Sequence, residues 1–281
     1  MLGSEAACYF SVDYDILRAG SGDIDIRDPE QSRKFIDQFK PDIILNCAAI
    51  ANVDLCEKER ELAKSVNTDG PETLAHICNE DNIYFAHYST DYVFDGEKKE
   101  PYIESDGANP INYYGQTKCE AEQRILEINP DFAVIRVAWI YANHEKSFIR
   151  KLIQQGLNQI VKKGHKQNIE PIRVVIDQVG TPTSALDIVK QTAQIIDNRL
   201  SGIIHCTAEG ETTRYNVAEF IFSELSMPVD IQPIGSDQFD WLAPRPKYTV
   251  LENEKLKSNG LNIMPDYKTA VGKFLKELEQ Y

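Results

Sequence analysis

Tyr114 and Lys118 stand four apart in the run Tyr114-Gly115-Gln116-Thr117-Lys118. On a helix that spacing puts both side chains on one face. A neighbouring ammonium favours the tyrosinate and lowers a phenol from about 10 toward neutrality, which suits proton transfer. Alone, the pair is more often a surface helix contact that arises by chance. A second polar group lies upstream in Tyr88-Ser89-Thr90-Asp91-Tyr92-Val93-Phe94-Asp95-Gly96. Polar side chains at the carboxyl end of a parallel strand face the ligand crevice of an open α/β sheet. The Thr90 hydroxyl there is able to donate to a carbonyl oxygen as negative charge develops on it. The bland alternative is a turn held by Ser, Thr and Asp side chains.

Such groups need a scaffold, and the chain alternates short β-rich runs with helical stretches. Strands are predicted at 14–18, 42–46, 83–88, 133–139, 172–176 and 202–206, each rich in Ile, Val, Tyr or Phe and apolar on both faces. Helices are predicted at 29–39, 62–80, 113–128, 184–198 and 268–280 from apolar residues at helical spacing. This alternation specifies a Rossmann-like, doubly wound parallel α/β sheet. Loops are denser after Ile140, at 142–147, 162–171 and 235–247. No linker marks a boundary. We expect a dinucleotide-binding domain over 1–145, with 172–206 returning to it, and a smaller C-terminal substrate lobe drawn mainly from 146–281.

A dinucleotide fold opens with a strand, a glycine-rich turn and a helix whose N-terminus holds the pyrophosphate. Here Met1-Leu2-Gly3-Ser4-Glu5-Ala6-Ala7 reads as the last part of such a turn, with no strand and no earlier glycine before Gly3. The expectation is therefore that the first strand is missing, that Met1 is internal to a longer natural product, and that central strands lose partners.

The bulk numbers narrow the function. With 30 Lys and Arg against 44 Asp and Glu, the net charge is -14, which repels phosphate backbones and argues against nucleic acid as a partner. The six cysteines, Cys8, Cys47, Cys56, Cys78, Cys119 and Cys206, are scattered singly, as buried thiols of a reducing compartment are. Their spacing gives no zinc site. Asp23, Asp25 and Asp28 fit a strand-to-helix turn better than a metal cluster, with Asp28-Pro29 starting the helix. The longest apolar run, 43–53, is too short to span a bilayer. No signal peptide is recognisable at the start, so no membrane partner and a cytoplasmic location are expected.

Taken in order, the motifs resemble the dTDP-4-dehydrorhamnose reductase family of the extended short-chain dehydrogenase/reductase superfamily. The likeness rests on Ser-Thr-Asp-Tyr-Val-Phe-Asp-Gly from Ser89 followed by Tyr114 and Lys118. It extends to Asn46-Cys47-Ala48-Ala49, Val66-Asn67, Arg136-Val137-Ala138-Trp139-Ile140-Tyr141, Asp177-Gln178-Val179-Gly180-Thr181-Pro182-Thr183 and Arg245-Pro246 with Tyr248 and Leu251. Departures are Thr249, Ala142 and Ile50 where many members carry Ser, Gly and a polar residue. The resemblance implies reduction of the 4-keto group of dTDP-4-dehydro-L-rhamnose, with NADPH or NADH as cofactor, Mg2+ as an optional ion and a homodimer as a permitted assembly.

By the same resemblance Tyr114 donates the proton, Lys118 holds the nicotinamide ribose and tunes the tyrosine, and Thr90 binds the carbonyl oxygen. Asp91 and Trp139 meet the sugar, and Arg245 meets the diphosphate or a nearby oxygen. Gly3, Asp25, Ile26, Ala48, Ala49 and Ile50 would line the cofactor. Arg18, at the end of the second predicted strand, leans toward NADPH. Two rivals share these features: a reductase of another 4-keto sugar nucleotide, and a non-catalytic subunit resembling the regulatory partner of methionine adenosyltransferase.

Overall fold

The computed structural model describes residues 1–164 and 169–278. Its centre is a parallel sheet of four strands, β1 (Ile43–Asn46), β2 (Tyr84–Thr90), β3 (Ala133–Val137) and β8 (Gly202–His205), in the order β1-β2-β3-β8. Shorter strands build the periphery: β4 (Ile140–Tyr141), β5 (Ile172–Val175), β6 (Val179–Gly180), β7 (Thr183–Ser184), β9 (Thr212–Thr213) and β10 (Ile231–Ile234). The helices are α1 (Leu2–Phe10), α2 (Pro29–Phe39), α3 (Val53–Lys58), α4 (Arg60–Lys64), α5 (Gly70–Asp81), α6 (Tyr113–Ile128), α7 (Phe148–Gly164), α8 (Ala185–Asp197), α9 (Arg214–Glu224), α10 (Glu254–Ser258) and α11 (Tyr267–Leu278).

The central strands are apolar on both faces because each face meets a helix layer. Tyr84, Ala86 and Tyr88 of β2 pack in a core with Leu2, Ala6 and Phe10 of α1 and with α8. Phe85, pointing the other way, joins Ile36 of α2, Leu74 of α5 and Ile125 of α6. A third core, under α7, α9 and α11, holds the small sheet in which β5 pairs parallel with β10.

Five predicted strands form close to their expected places, four of them in the main sheet. The run 14–18 does not: it is exposed and irregular. Among the described residues no strand pairs with it, and a strand without a ladder partner has nothing to satisfy its backbone groups. The strand predicted at 172–176 forms as β5 outside the main sheet, and α8 with β8 makes the return to that sheet. The helix predicted at 62–80 is interrupted by a π turn, Ser65–Asp69. The terminal helix is described as far as Leu278, so Gln280 lies outside the described residues, as do 165–168 of the loop expected at 162–171.

Candidate active site

Thr90 closes β2 and caps the single turn Asp91–Val93, its hydroxyl oxygen accepting from the Tyr92 N–H at 3.2 Å and its O–H donating to Asp91 Oδ1 at 3.1 Å. Helix α6 is pressed onto that turn. A Cβ at Gly115 would stand 2.1 Å from the Tyr92 carbonyl oxygen, so only glycine permits the approach. Asn112 fixes the entry by accepting from the Gly115 N–H at 2.9 Å and donating to the Pro244 carbonyl at 3.0 Å. Tyr114 is thereby set beside Thr90, Asp91 and Tyr92, with ring centroids of Tyr92 and Tyr114 6.0 Å apart.

The electrostatics correct the expectation that Lys118 lowers the tyrosine. Burial pushes Tyr114 well above its ordinary value, and the Thr90 hydroxyl opposes this only in part. Lys118 is turned inward instead. Its Nζ lies 2.7 Å from His87 Nε2 and donates to the Tyr88 carbonyl at 2.7 Å, and burial pulls it down to about 7. Burial likewise raises Asp91 to about 6, against hydrogen bonds from Thr249 and Thr90 and the charge of Arg214. Thr90 is bonded to Oδ1, and Oδ2 has no hydrogen-bond partner within 3.5 Å among the described residues.

Trp139 sits at φ 40°, a strained conformation for a bulky residue. Its indole lies against Gly180, where a Cβ would come within 2.5 Å of the ring. The Arg214 guanidinium covers the ring at 4.0 Å, and its Nε donates to Gln178 at 3.3 Å. Arg214 has no carboxylate partner among the described ion pairs and faces Asp91 and Tyr92. Sequence reasoning missed it. One signal was available: a cation at the first position of a helix opposes the dipole, and Arg214 opens α9.

Arg245 is held by the fold. It donates to the Ala243 carbonyl at 2.7 Å and to Asp54 Oδ2 at 3.0 Å, and Asp54 also accepts from the Ala243 N–H. On the opposite side Ala48 and Ala49 are exposed. Their loop is tied down by Asn46, which accepts from the Ala48 N–H at 3.0 Å, and by Asn67. Asn67 accepts from the Ile50 N–H at 2.8 Å and donates to the Ile50 carbonyl at 3.1 Å. Gly3 abuts Cys47, its position for a Cβ 3.2 Å from the Cys47 Cβ.

The remaining candidates are placed less centrally. Arg18 is exposed and donates to Ser4 Oγ in the first turn of α1 at 3.0 Å. Asp25 pairs with Arg27 at 2.6 Å, which holds its carboxyl down at about 2. Ile26 packs against Gly70 at the start of α5. Among the described residues no group of three or more His, Cys, Asp or Glu is placed to hold a metal, and no helix is long and apolar enough to cross a membrane.

A parallel sheet with helices on both faces, a polar strand end and a Tyr-x-x-x-Lys helix packed against it define an oxidoreductase of the short-chain dehydrogenase/reductase type. The comparisons agree. Residues 1–280 match the family model described as RmlD substrate binding domain, and the chain belongs to that family. It is 36% identical to a dTDP-4-keto-6-deoxy-D-glucose reductase of Streptomyces niveus, over 89% of this chain and 84% of that one. It is 31% identical to the dTDP-4-dehydrorhamnose reductase of Escherichia coli K12, over 90% and 85%. Among solved structures, a dTDP-4-dehydrorhamnose reductase of Clostridium acetobutylicum superposes with a TM-score of 0.92 at 33% identity, covering 99% of this chain and 96% of that one. That of Bacillus anthracis, in complex with NADP, gives 0.92 at 31%, covering 98% and 95%.

Proposed function

We propose that this chain reduces the 4-keto group of dTDP-4-dehydro-L-rhamnose to give dTDP-L-rhamnose. The observation that carries this is the convergence of Thr90, Asp91 and Tyr114 at the carboxyl end of β2, enforced by the close seat of Gly115 on the Tyr92 carbonyl. Three features of the structure fit a nicotinamide dinucleotide. The Ala48-Ala49 backbone is exposed and rigidly anchored, α1 begins without a side-chain cap, and Lys118 is a buried amine with no paired carboxylate among the described residues. Ala48, Ala49, Ile50 and Lys118 would lie along the nicotinamide side, and Gly3 and Arg18 toward the phosphates. When bound, the cofactor supplies the hydride.

The residues divide the remaining work. Thr90 donates a hydrogen bond to the carbonyl oxygen as charge grows on it. Tyr114, kept protonated by burial, delivers its proton to that oxygen. Asp91, Arg214 and Trp139 form the wall that orients the sugar. Arg245, fixed by Asp54 and the Ala243 carbonyl, brings a second cation near Tyr92 and Arg214. We infer a division close to the one the sequence suggested: a cofactor domain over 1–145, to which α8 and β8 of the stretch 172–206 return, and a substrate lobe drawn mainly from 146–281.

The test is oxidation of NADPH or NADH by the purified chain with dTDP-4-dehydro-L-rhamnose, beside Tyr114→Phe. Turnover should fall about 10²–10⁴-fold in the variant, the scale of a lost proton donor. Equal turnover in both would remove Tyr114 from the role. A second reading, a different 4-keto sugar nucleotide, is favoured by the relatives themselves, since the S. niveus protein is named for dTDP-4-keto-6-deoxy-D-glucose. Activity with that sugar alone would select it.

A further inference from the structure

A buried polar chain runs from the cofactor-side loop to the amine of Lys118, and the mechanism above does not use it. Asn46 and His87 are both buried, at 5% and 0% exposure, and Lys118 is at 1%. The links are Ala48 N–H to Asn46 Oδ1 at 3.0 Å, Asn46 Nδ2 to His87 Nδ1 at 3.0 Å, and His87 Nε2 to Lys118 Nζ at 2.7 Å. Lys118 Nζ then donates to the Tyr88 carbonyl.

The proton positions follow from donor and acceptor inventories. The Ala48 N–H is only a donor, so the Asn46 oxygen must face it, and turning the amide over would set NH2 against N–H. The Asn46 NH2 therefore faces His87 Nδ1, which must be the acceptor. A neutral ring then carries its proton on Nε2. An ammonium has no lone pair to receive that proton, so a 2.7 Å contact from Nε2–H requires the free amine at Lys118. We propose that His87 is a positioning residue that holds Lys118 as a neutral amine through Nε2–H, and that Asn46 couples the charge state of that amine to the Ala48 backbone.

The coupling has a definite sense. A proton taken up from solvent by Lys118 uses its lone pair. Nε2 must then accept, the ring proton moves to Nδ1, Asn46 must present its oxygen to Nδ1, and the Ala48 N–H loses its acceptor. Charging Lys118 and freeing the Ala48 N–H are thus one event. The other titratable groups facing Lys118 leave the chain intact. The Cys47 thiol is pushed up to about 12 by burial and stays neutral. Glu122 is engaged by Arg136 at 2.7 Å. Burial drives His87 well below its ordinary value, and a charged Lys118 would push it further the same way, so it relays without charging. The label "positioning" for the reaction rests on the functional reading above, but the proton arrangement does not.

Nuclear magnetic resonance on the free protein tests it without any cofactor. In protein labelled with 13C-lysine, with Lys118→Met for assignment, the Lys118 Cε should titrate near neutrality. Histidine 15N shifts at pH 9 should show the proton of His87 on Nε2, and the Ala48 amide should follow the same midpoint as Lys118. His87→Gln keeps an N–H near the Nε2 position and should leave the midpoint nearly in place. His87→Leu removes it and should raise the midpoint by about one pH unit or more, a tenfold change in ionisation. A Lys118 that is still ammonium at pH 9, a proton on Nδ1 at that pH, or an Ala48 amide indifferent to the titration overturns the proposal. If His87→Leu does not fold, the wild type and His87→Gln decide. Inactive protein with this proton pattern would sink the reductase reading alone, whereas active protein without it would sink this inference alone.

Discussion

Asp91 carries a charge that depends on pH close to neutrality. Burial holds its carboxyl at about 6, so it is neutral below that pH and charged above it. Linkage gives the sign for stability: because the folded value is raised, its favourable contribution is full below about 3.8 and is lost as pH rises through about 6. For activity the sense is opposite, since only the carboxylate balances the Arg214 guanidinium that covers Trp139. The profile of kcat/KM should therefore show an acid limb centred near 6, and Asp91→Asn should remove that limb and leave a low, flat profile. A limb unchanged in the variant would belong to another group. Thr90, Asp91, Tyr114 and Trp139 were legible as residue types in order along the chain. The pKa directions of Asp91 and Tyr114 were not, because burial, which the sequence does not state, dominates both. His87 gave no sign of a site role and Arg214 only its place at the start of α9, since each acquires its chemistry from partners far away in sequence, Lys118 and Asn46 for one, Trp139 and Gln178 for the other.

At the scale of elements, the helix–turn contact at Gly115 determines whether those residues meet at all. A methyl at that position would enter the Tyr92 backbone and come within 2.9 Å of the Pro110 Cβ, and backbone does not give way as a flexible side chain does. Gly115→Ala should displace α6 from the turn Asp91–Val93, lowering stability by about 1–3 kcal/mol, the usual cost of overpacking, and lowering kcat more than it raises KM. Thermal unfolding with steady-state kinetics checks both, and a variant with full stability and full turnover would show that the helix has another seat. Sequence periodicity found α6 because its buried face repeats regularly. It did not find the break in 62–80. There the π turn swings Asn67 inward to bond both backbone groups of Ile50, and such a single-turn deviation leaves the hydrophobic period nearly unchanged. The run 14–18 failed for a different reason. Its Tyr, Ile and Leu have strand propensity, but propensity is realised only against a neighbouring strand.

For the whole molecule, the order β1-β2-β3-β8 was legible as a class, a parallel sheet between helix layers, while the pairing of β5 with β10 was not, because short apolar runs do not state their partners. The order also sets a gradient of local stability. β2 is buried at every position and hydrogen-bonds to strands on both sides, and β3 does the same. β3 is tied further to α6 by the buried Arg136–Glu122 pair at 2.7 Å. β1 pairs on one side only, and three of its four residues are partly exposed. Since backbone amides open at free energies that track burial and pairing, exchange with deuterium should be slowest in β2 and β3 and markedly faster in β1. The loop at Ala48 follows directly from β1, so the cofactor side of the site is hung from the least protected strand of the sheet and the substrate side from the most protected. Hydrogen exchange read by mass spectrometry on peptides spanning 43–46 and 84–90 should therefore separate by at least tenfold in rate, about 1.4 kcal/mol of local opening. Equal protection of the two peptides would show that the edge of β1 is covered in solution and that both sides of the site open together.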